Sequence, residues 1–83
     1  MDEKIKNRIE FMAQQLSRLK NIAHSQQVII ENLAKVQIEM GNENDNSIID
    51  KIGAAFSNAS KNLDLLHNTI QDYEIELNKL RNE

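Results

Sequence analysis

Eighty-three residues make one domain at most, and a chain this short struggles to bury enough apolar surface alone. Ten Lys and Arg against thirteen Asp and Glu give a net charge of −3, which removes the basic face of a nucleic-acid binder, and the lack of cysteine removes disulfides and thiolate zinc sites. No apolar run approaches the ~20 residues of a membrane span, and no apolar segment follows Met1-Asp2-Glu3-Lys4 as it would in a signal peptide; a cytoplasmic location is expected, with export by a non-Sec route left open.

The first element is a helix expected from about residue 3 to 40. Its apolar seam runs Ile5, Ile9, Met12, Leu16, Leu19, Ala23, Gln26, Ile30, Leu33, Gln37, Met40. The steps alternate between three and four without a skip, so these side chains share one stripe and drive left-handed supercoiling. No proline interrupts it. Acidic residues in the first turn, Asp2 and Glu3, suit the helix dipole.

The polar run Gly41-Asn42-Glu43-Asn44-Asp45-Asn46 forms the turn, 41–46. Gly41 is expected to close the helix in the left-handed conformation. Ser47 is expected to cap the second helix, with Asp50 as its capping-box partner.

The second helix is expected over about 47–81, with a seam Ile49, Ile52, Phe56, Ala59, Leu63, Leu66, Ile70, Tyr73, Leu77, Leu80. Folding the chain at Asn44 pairs the stripes layer by layer, Met40 with Ile49, Leu33 with Phe56, Leu16 with Tyr73, Ile9 with Leu80. Every layer joins an a position to a d position, as two antiparallel helices require. The fold class is therefore all-α, a single antiparallel two-helix hairpin over 1–83, assembling into a four-helix bundle.

Two polar residues interrupt the seam, Gln26 opposite Leu63 and Gln37 opposite Ile52. A seam glutamine either packs its stem and turns its amide to solvent, or joins a polar network across a dimer axis. The first is the simpler reading.

Ile22, Ile29 and Val36 recur every seven residues beside the first seam, and Ile48 and Ala55 fall on the matching flank of the second helix. The turn-distal positions of this flank, Arg8, Gln15, Asn62, Thr69 and Glu76, are all polar. A stripe this wide signals burial against further helices. Gly53 lies among small residues and costs a helix about 1 kcal/mol relative to alanine, so a close helix approach is a reason to keep it. Ile22, Ile29, Val36, Ile48, Gly53 and Ala55 are the expected interface, taking a homodimer mate or another protein.

The candidate chemistry is thin. His24, His67 and Asp64 can be drawn as a metal set, but the Glu-x-x-His pairs of a bundle di-iron site are missing and both histidines stand off the seam. They are read as solvated. No nucleophile sits in a recognisable motif and there is no phosphate loop. No catalytic residue, cofactor or metal is expected, and the chain is read as a non-enzyme.

The segment Ser60-Lys61-Asn62-Leu63-Asp64-Leu65-Leu66 resembles the Ser-x-x-Leu-Asp-x-Leu core of the Spo0E-like aspartyl-phosphate phosphatases. That resemblance implies a response-regulator phosphatase in which Asp64 is the functional aspartate. The whole chain looks more like the WXG100 and LXG-associated helical-hairpin proteins of type VII secretion in Gram-positive bacteria, through Gly53-Ala54-Ala55-Phe56 and the spaced leucines to Leu80. It departs from them in having no Trp-x-Gly at the turn, and in placing Leu77 where the export motif Tyr-x-x-x-Asp/Glu, read from Tyr73, needs an acid. The resemblance implies a dimeric four-helix bundle and, with the export motif missing, an adaptor. The functional expectation is a small adaptor, chaperone or targeting partner, for instance of a secreted effector. The alternative is a phage- or plasmid-encoded regulator or inhibitor of a host protein.

Overall fold

The structure, a computed structural model, describes residues 2–82. Two helices, α1 (Glu3–Asn42) and α2 (Ile49–Arg81), lie side by side as a hairpin 63 Å long and 14 Å across. Forty residues at 1.5 Å each account for that length. The all-α hairpin is thus the architecture that the two heptad seams demand.

Asp2 starts α1. Its carboxylate accepts the Lys4 backbone N–H at 3.1 Å, which satisfies one of the free donors of the first turn.

The turn is built differently from expectation. Gly41 stays inside α1, and Asn44 takes the left-handed conformation, with φ 56°. The Asn44 N–H then reaches the Gly41 carbonyl at 3.1 Å and the Asp45 N–H reaches the Met40 carbonyl at 2.9 Å. These two bonds are a Schellman closure, with asparagine at the position glycine usually fills. A β-branched residue there meets the left-handed penalty in full, so Asn44→Val is expected to cost about 1–2 kcal/mol. Asn44→Gly should be neutral or mildly stabilising, and thermal melts of the two variants compare them directly.

Ser47 does not cap α2. Its N–H and its hydroxyl both donate to Asp45 Oδ1, at 3.1 and 2.7 Å. A charged acceptor two residues back outcompetes the backbone N–H groups ahead. The cap position falls to Ile48, which offers no side-chain bond, and Asp50 supports the first turn only through the dipole. Those two bonds from Ser47, the hydroxyl's first, lower the Asp45 pKa from its ordinary 3.8. The sign follows: the contribution is present above 3.8 and is lost as pH falls through the lowered folded value. Asp45→Ala should therefore remove a small acid-sensitive part of the melting curve, read as Tm against pH.

Register across the hairpin is marked by two contacts. The Gln26 amide donates to the Ala59 carbonyl at 3.2 Å, and Lys20 pairs with Glu74 at 3.0 Å. Both fit the layers in which Leu16 meets Tyr73 and Leu33 meets Phe56.

Packing is uneven along the hairpin. The core is Met12, Leu16, Ala23, Leu63, Ile70 and Leu77. Ile9, Leu19, Leu66, Tyr73 and Leu80 pack against it, half-buried. No residue from 24 to 62 is buried, although the seam runs through that stretch without a break.

Candidate interaction surface

Ile30, Leu33, Met40, Ile49, Ile52 and Phe56 carry the seam toward the turn, and all are only half-buried. In the distal half, by contrast, Met12 is 1% and Leu77 2% exposed. The difference follows from what stands beside the seam. In the distal half the Lys20–Glu74 pair spans one edge of it. Near the turn the residues beside it are Ala34, Gly41, Gly53 and Ser60 on one flank. On the other they are Ile22, Ile29, Val36, Ile48 and Ala55.

The six residues expected at an interface therefore divide between two flanks. Ile22, Ile29, Val36, Ile48 and Ala55 each stand one position before a seam residue. The large ones keep 51, 49, 39 and 45% of their surface exposed, in that chain order, and Ala55 is exposed as well. Gly53 stands one position after the seam residue Ile52, on the flank that carries the Lys20–Glu74 pair. It is half-buried against its own hairpin. A Cβ built on it would lie 3.3 Å from Gln37 Nε2, the far end of a flexible side chain, and meet no backbone. Removing the helix penalty of glycine should outweigh the small displacement of Gln37. Gly53→Ala is expected to stabilise the isolated hairpin by up to about 1 kcal/mol, checked by denaturant titration.

Gln26 packs its stem as its place in the seam suggested, but turns its amide inward and not to solvent. Its amide is satisfied inside the hairpin, by the Ala59 carbonyl, while its stem stays in the seam. No buried side-chain polar atom among the described residues lacks a partner.

The remaining candidates stand apart from this surface. His24 and His67 are exposed and border one shallow depression with Lys20, Ala23, Gln27 and Ile70. Asp64 does not reach it, and among the described residues no three His, Asp or Glu side chains gather closely enough to hold a metal ion. Asp64 itself is exposed. The leucines around it divide by seam position, with Leu63 buried, Leu66 half-buried and Leu65 63% exposed. Phe11, half-exposed on the outer side, lies under the Arg8 guanidinium at 5.7 Å from its ring centre. No described helix is long and apolar enough to cross a membrane.

No family model, curated protein or solved structure matches this chain.

Proposed function

We propose that this chain is a non-enzymatic helix-packing module, a small adaptor, chaperone or targeting partner that works by docking its turn-proximal half against further helices in a four-helix bundle. One observation carries the reading. The half with the widest apolar surface is the half in which the hairpin buries nothing completely. A monomeric protein normally keeps such a patch small, and contiguous exposed apolar surface marks an interaction site. The adaptor form is also what the resemblance to the type VII secretion partners implies.

The test is photocrosslinking in the source cells. A photoreactive side chain at Ile29 samples the apolar flank, and one at Lys35 samples the outer face of the same helix. Discrete protein adducts at Ile29 and none at Lys35 are expected. Equal labelling at both positions, or none at Ile29, would remove the flank from the function.

A further inference from the structure

We propose that Asn46 is a self-modifying residue, an asparagine that converts to aspartate and isoaspartate through a succinimide, and that the Asp45 carboxylate is the latch that sets its pace.

The chemistry needs a backbone nitrogen free to reach the side chain of the residue before it. The Ser47 nitrogen gives its proton to hydroxide from solvent and bonds to Asn46 Cγ. The Cγ–Nδ2 bond breaks and the amide nitrogen leaves as ammonia. Water then opens the five-membered ring at one carbonyl or the other. One opening leaves aspartate; the other leaves isoaspartate, with an extra methylene in the main chain.

A helix blocks the first step, because each backbone N–H is held by the carbonyl four residues back. Among the described residues, Asn44, Asn46 and Asn82 are the asparagines outside the two helices. The nitrogen that would attack Asn44 belongs to Asp45, and its N–H is bound to the Met40 carbonyl at 2.9 Å. Asn82 is followed by Glu83, a longer and charged side chain that crowds the ring. Asn46 is exposed, lies in irregular backbone and is followed by the small Ser47.

A side chain, not a helix carbonyl, holds the Ser47 N–H. Asp45 Oδ1 accepts it at 3.1 Å and accepts the Ser47 hydroxyl at 2.7 Å. A nitrogen anion formed there would stand beside a carboxylate, so the proton is harder to remove. Both bonds are exposed, and the latch opens without unwinding a helical turn. Conversion then adds a negative charge two residues before Ile48, the cap position of α2, and isoaspartate lengthens the turn that leads into it.

The purified full chain and its Asp45→Ala variant are aged side by side at mildly alkaline pH. Cleavage after Lys35 and Lys51 releases one peptide that carries Asn42, Asn44 and Asn46. Fragment masses place each amide that has become an acid, and electron-transfer fragmentation separates isoaspartate from aspartate. Acid at position 46 ahead of every other asparagine, isoaspartate among the products, and a severalfold faster conversion in Asp45→Ala are the expected results. Acid forming first at another asparagine of the native chain, or at none, overturns the proposal. So does a rate at position 46 that is unchanged or slower in the variant. Conversion of Asn44 together with Asn46 in the variant overturns the latch as well, since the whole turn would then have loosened.

Discussion

Leu77→Ala is expected to destabilise the hairpin by about 2–5 kcal/mol, whereas Leu33→Ala in the dilute chain should cost well under half as much. Both delete the same atoms from the same heptad seam. Leu77 is 2% exposed, so its removal leaves a cavity that two long helices cannot close. Leu33 is half-buried, so water reaches the vacated space and the lost burial is partial. Small domains have only some 5–15 kcal/mol in hand, and an 83-residue hairpin belongs at the low end. Leu77→Ala should therefore leave the chain largely unfolded at moderate temperature, with far-UV circular dichroism showing lost helix.

Concentration separates the two sites further. Assembly stabilises the folded chain by mass action, and it does so more as concentration rises. If further helices cover the turn-proximal half, Leu33 becomes a core residue only in the assembled state. The penalty of Leu33→Ala should then grow over a hundredfold rise in protein, while that of Leu77→Ala stays nearly constant. A Leu33→Ala penalty that ignores concentration would mean that the turn-proximal seam is never covered.

The hairpin was legible because its signal is redundant. An unbroken alternation of three and four over Ile5 to Met40, repeated over Ile49 to Leu80, leaves no other fold at this length. The apolar flank was legible for the same reason, through the heptad recurrence of Ile22, Ile29 and Val36. The turn was not. Gly41, Asn42, Asn44 and Asn46 all tolerate the left-handed conformation, and composition does not rank them; the hydrogen bonds to Met40 and Gly41 select Asn44. Ser47 looked like a cap because its competitor, Asp45, lies on the wrong side of it for the capping-box pattern. Gly53 was grouped with the flank residues by proximity along the helix. One step in heptad position places it on the other side, and the Lys20–Glu74 pair marks which side that is. The failure of the turn-proximal seam to bury its residues had a sequence signal too. Small residues stand beside it on the Gly53 flank, where lysine, histidine and glutamate stand farther from the turn.

Ile29→Glu combined with Val36→Glu is expected to weaken assembly by at least a thousandfold while leaving helix content nearly unchanged. Full burial of a large aliphatic side chain is worth about 1.5–3 kcal/mol. Covering the exposed half of Ile22, Ile29, Val36 and Ile48 thus yields roughly 3–6 kcal/mol gross. Association costs at least about 4 kcal/mol in lost freedom. The flank alone barely breaks even, so binding also has to draw on the half-buried seam residues Leu33 and Phe56 behind it. Two glutamates remove half of the flank and set two charges against apolar surface. A loss of about 4 kcal/mol corresponds to that thousandfold. Helix content should survive because glutamate is a better helix former than isoleucine or valine, and because the core of the hairpin lies at the other end. Ile38→Glu supplies the control. Ile38 is 64% exposed and stands one position past the seam residue Gln37, away from the flank, so its charge should leave the solution mass unchanged. An assembly that persists in the double variant at its original affinity would mean that the apolar flank contributes nothing to binding, and a partner would then have to use the Gly53 side, where the small residues let another helix approach closely.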